Sequence, residues 1–128
     1  MPETDLATLI RTMSPRLMPG LFVFATVEAV PVGLDPIMTF REAEGITLIV
    51  PQDQATAAGL GGTFPSRMIT LEVNSSLEAV GFLAAVAGKL AEAGIPVNPV
   101  SGFHHDHLFV PAERAEAAMT ILKAMAGG

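Results

Sequence analysis

The sequence predicts an α+β fold in which helices cover an antiparallel sheet. Apolar and polar side chains alternate over residues 68–73, as in a half-buried strand. Apolar residues then recur at helical spacing over residues 75–94. Two strand-like segments joined by a tight hairpin follow, and a final helix begins after Pro111. This order of elements favours the ferredoxin-like split arrangement over a parallel α/β protein.

The predicted helix over residues 75–94 has both a start signal and a stop signal. Ser75 can accept a hydrogen bond from the first free N–H groups and Glu78 can reach back, which is a capping box. Gly94 should end the helix because it adopts a left-handed backbone at little cost. Ile95 is then expected to pack back on Leu90.

The first half of the chain supplies further elements. Thr4 can cap a short helix. Residues 21–27 are β-prone and apolar on both faces, which is typical of a central strand or of a strand at a partner contact. Residues 37–40 and 46–50 are predicted to form a hairpin in which Gly45 takes a positive φ.

A joint rich in glycine and proline predicts two subdomains, residues 1–65 and 66–128. A ferredoxin-like unit closes with a strand after its second helix, yet no such strand follows the last helix here. The closing strand of the second subdomain must therefore come from elsewhere, and residues 21–27 are the predicted donor. This exchange would interleave the two subdomains.

The composition argues against several classes of function. A net charge of −6 opposes nucleic-acid binding, which needs a basic face to neutralise phosphates. The chain has no cysteine, which excludes disulfides and thiolate metal sites. No apolar run approaches the roughly 20 residues of a membrane span, and the N-terminus lacks the pattern of a signal peptide. We expect a cytoplasmic protein that binds neither nucleic acid nor membrane.

The sequence contains no recognisable catalytic motif. The glycine-rich segment over residues 59–62 lacks the lysine and the strand-to-helix setting of a phosphate-binding loop. Neither Arg41 nor Arg67 has the phosphate cradle that a ferredoxin-like acyl phosphatase needs. We therefore predict a protein that is not an enzyme and has no cofactor.

The start of the predicted helix is the candidate binding site. Its free N–H groups and the positive end of its dipole suit a carboxylate, and Gly81 lets a ligand approach the backbone. Across the gap, Asn98 offers both a donor and an acceptor. The alternative is that these residues only cap, pack and satisfy a turn. The predicted ligand-binding residues are Ser75, Ser76, Leu77, Glu78, Ala79, Val80, Gly81, Ile95 and Asn98.

Three histidines lie close together at the predicted hairpin. Alternation along a strand would point His105 and His107 to one side and His104 to the other. A zinc or iron site needs three or four ligands, and the chain has no other histidine to complete one. The favoured interpretation is a solvated hairpin tip with Phe103 and Phe109 buried on either side, although a dimer could pool ligands.

These residues together resemble the ACT domain. The resemblance in the second half is carried by SSLEAVGFLAAVAGKLAEAGIPVNPVSGFHHDHLFVPAERA, above all by the helix, glycine and edge strand in AEAGIPVN. The first half, with MTFREAEGITLIVP, is similar to the same family. The resemblance implies two interleaved βαββαβ units that bind a small effector, usually an amino acid, at an interface between units.

Carried over from ACT domains, residues 74–80 and 95–98 match the usual ligand-lining positions. Many ACT turns carry a Pro-Gly pair before the helix, and this chain has none there. Glu78 near the helix start would repel an acidic group, which favours a neutral or basic amino acid.

Two functions from different classes follow. One is an amino-acid-binding regulatory module acting through a ligand-dependent shift in population. The other is a structural or assembly module that has lost its ligand. A homodimer is expected because Phe22 and Phe24 lie on one face of a strand, although a helix of the same chain could cover them. The sequence identifies neither the ligand nor the regulated partner.

Overall fold

The computed structural model describes residues 2–127, and the chain divides into two compact units. Met1–Pro19 and Arg67–Gly128 belong to the first unit, and Gly20–Ser66 forms the second. Among the described residues, no helix is long and apolar enough to cross a membrane. The elements in chain order are α1 Leu6–Thr12, β1 Ser14–Leu17, β2 Phe22–Val27, β3 Met38–Glu42, β4 Gly45–Pro51, α2 Gln52–Ala57, β5 Thr63–Glu72, α3 Phe82–Glu92, β6 Asn98–Ser101, β7 Asp106–Pro111, a 3-10 turn Ala112–Arg114 and α4 Ala115–Gly127.

The first unit is the ferredoxin-like unit that the sequence predicts. Its strands lie in the order β1-β5-β7-β6, with β1 antiparallel to β5 and β6 antiparallel to β7. Pro99 therefore lies on an edge strand, where its missing N–H costs no ladder hydrogen bond. The core joins the sheet to α1, α3 and α4 through buried side chains that include Leu9, Ile69, Leu71, Phe82, Val86, Leu90, Leu108, Val110 and Leu122.

The strand that closes this unit comes from the N-terminal part of the chain, but it is not residues 21–27. Ser14–Leu17 pairs with β5, with Ser14 opposite Glu72 and Leu17 opposite Ile69. Residues 1–19 consequently belong with the second half of the chain and not with the predicted subdomain 1–65. A four-residue strand that contains Pro15 has too little apolar alternation to be recognised in the sequence.

The second unit has strands in the order β3-β4-β2-β5, and β5 contributes its first residues, with Phe22 opposite Ser66. Residues 21–27 form its central strand β2, which explains why they are apolar on both faces. Phe22 is buried within this unit, and the ring of Phe24 contacts Phe64 edge-on. Helix α2 packs against this sheet around a small core of Val23, Val50 and Ala55.

Helix α3 begins later than the sequence predicts. It starts at Phe82 and not at Ser75, and Gly81, at φ 90°, is its N-cap. The predicted capping box of Ser75 and Glu78 is wrong. Ser76 Oγ instead accepts a hydrogen bond from the N–H of Glu78 at 3.0 Å, within a loop. The predicted end is confirmed, because Gly94 has φ 72° and the N–H of Ile95 donates to the Leu90 carbonyl at 3.0 Å.

Two glycine substitutions test this helix start. Gly81→Ala should lower the free energy of unfolding by about 1–2 kcal/mol, because a side chain disfavours a left-handed backbone. Gly88→Ala is the matched control within α3, where an added Cβ would meet nothing within 4 Å. It should raise stability by about 0.5–1 kcal/mol, since alanine is the better helix former. Urea unfolding measures both changes in the free energy of unfolding. An unchanged free energy of unfolding in Gly81→Ala would contradict the observed start of α3.

Candidate functional site

A cavity of about 180 Å³ opens in the first unit where the chain passes from β5 into α3. One wall is the loop over residues 75–81, and a second is the first turn of α3. The third wall is the end of the hairpin between β6 and β7, which contributes Ser101, Gly102 and Asp106. The cavity therefore lies at the junction of a strand, a helix start and a hairpin within one unit.

Five of the nine predicted ligand-binding residues line this cavity, namely Ser75, Ser76, Leu77, Ala79 and Gly81. Glu78 and Val80 belong to the same loop, but both are exposed and neither lines the cavity. Ile95 is buried in the core of the unit, and Asn98 is exposed at the start of β6. The structure thus brings together the residues before α3 but not those that follow it.

Asp106 is the charged residue of the cavity wall. The whole residue is 8% exposed, and among residues 2–127 its carboxylate makes no hydrogen bond or ion pair. Alternation along β7 places it on the same face as Leu108 and Val110, which belong to the core. Its polar partners are therefore water or a ligand that brings a cation or a hydrogen-bond donor.

The first turn of α3 favours a negatively charged group, whereas Asp106 favours a positively charged one. Gly81 provides no side-chain cap, and the N–H groups of Phe82, Leu83 and Ala84 have no acceptor within residues 2–127. Uncapped N–H groups at a helix start carry a partial positive charge and bind anions. The cavity therefore presents an anion-binding surface and an anionic side chain to the same small space.

The histidines make structural contacts beside the cavity. His105 Nδ1 lies 3.3 Å from the Val73 carbonyl, and His107 Nδ1 lies 3.0 Å from Thr70 Oγ1. Within the described part of the chain, no three acidic or histidine side chains are placed to hold a metal ion. Phe109 is buried as predicted, but Phe103 is 79% exposed, because the hairpin end turns it away from the core.

Sequence reasoning missed the hairpin side of the cavity. Ser101, Gly102 and Asp106 were absent from the predicted set, as was the first turn of α3 from Phe82 onward. The sequence does contain a signal for this side of the cavity. Asp106 is a polar residue at a position where the period-two pattern of Leu108 and Val110 would place an apolar one. A solvated hairpin tip, which the sequence favours, accommodates a polar residue at position 106 without any ligand.

Two models of the ACT domain match the chain, one over residues 1–67 and the other over residues 63–124. The protein belongs to the ACT-domain family. Its two ferredoxin-like strand orders are those expected of tandem ACT units. Among curated proteins, none matches this chain.

Several solved structures are similar to this ACT protein. A protein of unknown function from Vibrio cholerae, described as a possible transport protein, is 46% identical over 94% of this chain and 95% of that one, with a TM-score of 0.87. A protein from Agrobacterium tumefaciens is 19% identical, covers 89% of each chain and has a TM-score of 0.77. The ligand-free regulatory subunit of aspartate kinase from Thermus thermophilus is 14% identical over 91% of this chain and 97% of that one, with a TM-score of 0.67, a likeness of fold.

His107 makes the stability of this ACT protein depend on pH. Burial, and then the charge of His105, lower the pKa of His107, while Asp106 opposes them. The unfolded chain therefore binds the proton more readily, so the free energy of unfolding should fall as the pH drops through the ordinary histidine range.

Urea unfolding at about pH 7.5 and about pH 5.5 measures this fall. His107→Gln should reduce it, whereas the control His104→Gln should not, since His104 is exposed and contacts the Phe103 ring. Equal pH dependence in wild type and His107→Gln would contradict the assignment.

Proposed function

We propose that this protein is a regulatory ACT module that binds an amino acid in the cavity before α3 and has no catalytic activity of its own. The proposal rests on one observation. The uncapped N–H groups of α3 and the unpartnered carboxylate of Asp106 face the same cavity of about 180 Å³. An amino-acid zwitterion carries an anionic carboxylate that suits the N–H groups and a cationic ammonium group that suits Asp106.

The proposed binding mode follows from these charges. The α-carboxylate of the ligand accepts hydrogen bonds from the N–H groups of Leu83 and Ala84. The α-ammonium group donates a charge-assisted hydrogen bond to the Asp106 carboxylate. Ser75 and Ser101 offer hydroxyl groups nearby, and Leu77 gives the ligand side chain an apolar contact. Five of the nine residues predicted from the sequence line the cavity and belong to this binding mode, together with Asp106. Glu78, Val80, Ile95 and Asn98 stay predictions from the sequence alone.

The regulatory role is supported by family membership. The regulatory subunits of aspartate kinase from Thermus thermophilus and Thermus flavus share the fold of this chain. We assign no reaction to the cavity because Asp106 is the one titratable side chain among its lining residues, so no acid–base pair is formed there. We further propose a cytoplasmic homodimer.

The homodimer is favoured by exposed apolar side chains around the cavity. Leu77 is 66% exposed, Val80 is 84% exposed and Phe103 is 79% exposed. Exposed apolar groups of this size are typical of contact surfaces. The same observation favours the second candidate function, an assembly module that keeps the fold without binding an effector.

A thermal-shift screen against the twenty L-amino acids, each at about 5 mM, tests the proposal. One or a few amino acids should raise the unfolding midpoint, because they bind the native state alone. No shift with any of them would contradict amino-acid binding and favour the assembly module.

Asp106→Asn tests the residue that carries the proposal. It should weaken binding of the active amino acid about 10- to 100-fold, the usual effect of losing a charge-assisted hydrogen bond. Without ligand the midpoint should change little, since the Asp106 carboxylate makes no hydrogen bond or ion pair within residues 2–127. The control Asp53→Asn changes an exposed carboxylate on α2 and should leave binding unchanged. Wild-type affinity in Asp106→Asn would exclude the proposed ammonium contact.

A further inference from the structure

The N-terminal segment, defined here as residues 2–6, runs beside the loop that walls the cavity. The N–H of Glu3 donates to the Asn74 carbonyl at 2.7 Å. The N–H of Ser76 donates to the Glu3 carbonyl at 2.9 Å. These two bonds form a parallel bridge between Glu3 and Ser75, and both Ser75 and Ser76 line the cavity.

The loop has few other attachments. Residues 73–80 lie outside every helix and outside the named strands, and their remaining backbone bonds join near neighbours, such as Ala79 N–H to the Ser76 carbonyl at 3.0 Å. Within residues 2–127, Glu3 is the one distant residue whose backbone bonds to this loop, and the His105 ring is the one distant side chain. A loop held by so few bonds opens at low free energy unless those bonds are kept.

Glu3 is itself held in place from the core of the unit. Its carboxylate accepts hydrogen bonds from the N–H groups of Thr4 and Asp5, both at 3.0 Å. Asp5 then caps α1 by accepting the Thr8 N–H at 3.0 Å, and Leu9 of that helix is fully buried. A chain of short bonds thus connects the core, through α1 and Glu3, to the cavity wall.

The segment supports a second part of the wall through Leu6. Its Cδ2 lies 3.6 Å from where a Cβ would stand on Gly81, the N-cap of α3. Both sides of the loop, at Ser76 and at Gly81, therefore meet the N-terminal segment. Neither Glu3 nor Leu6 lines the cavity, so neither touches a ligand there.

We infer that Glu3 is a positioning residue for this cavity: its backbone fixes the loop over residues 73–80 and thereby sets how well the cavity is formed. The expected change in ligand affinity rests on the proposed amino-acid site. The expected loosening of the loop does not depend on any ligand, so it is measured in the unliganded protein.

The test compares Glu3→Pro with Glu3→Ala in the full chain. Proline removes the N–H that bonds to Asn74, whereas alanine keeps the backbone bonds and removes the carboxylate alone. Amide hydrogen exchange should become about tenfold faster over residues 73–80 in Glu3→Pro, the effect expected from one lost tether. Exchange in β5 and α3 should stay at wild-type rates, and Glu3→Ala should exchange much more slowly in the loop than Glu3→Pro.

Binding is then measured with the same panel of L-amino acids at about 5 mM as the probe. For any amino acid that binds wild type, Glu3→Pro should weaken binding about tenfold while the unliganded midpoint changes little. A chain lacking residues 2–4, which keeps Asp5 and α1, should reproduce both results if Glu3→Pro folds poorly.

The outcomes are distinct. Wild-type loop exchange in Glu3→Pro and in the shortened chain would overturn the inference, whatever the ligand results. Faster exchange spread over the whole unit would also overturn it, because Glu3 would then support the fold in general. If no amino acid binds wild type, the proposed function fails, and loop exchange alone still decides whether Glu3 holds the cavity wall.

Discussion

The first unit depends on strand β5 and on how the chain leaves it. Ile69 and Leu71 anchor one face of β5 in the core, and β1 pairs along its edge. Because β5 ends at Glu72 and α3 begins at Phe82, the intervening residues must cross the end of the sheet as a loop. That crossing creates a cavity whose walls are the loop, a bare helix start and the end of a hairpin.

The position of Asp106 gives this cavity its chemistry. Period-two alternation would normally place an apolar residue at the start of β7, in line with Leu108 and Val110. A carboxylate there has no hydrogen-bond or ion-pair partner among residues 2–127, so it remains available to water or to a ligand in the cavity.

Local patterns were enough to predict much of the fold. The strand before Glu72, the glycine stop at Gly94 and the final helix α4 all lie where the sequence indicates, although residues 68–71 are buried on both faces and not on one. Each of these signals arises from residues close together in the chain.

The features that the sequence predicts wrongly are determined by contacts with residues far away in the chain. Ser75 and Glu78 have the spacing of a capping box, but Ser75 is bridged by Glu3, some seventy residues earlier, and the backbone becomes helical after Gly81. The closing strand also comes from far away in sequence and is four residues long. The three hairpin residues of the cavity were missed for the same reason, because the hairpin reaches the loop through the fold and not through the chain.

The origin of β1 also constrains when the first unit can be completed during synthesis. Residues 14–17 are synthesised before β5, with which they pair at residues 69–72, and before Leu122, with which Leu17 shares a core. They must therefore wait, unpaired, until the ribosome has made those later segments. Contacts of such long sequence separation slow folding and prolong the exposure of apolar surface in the nascent chain.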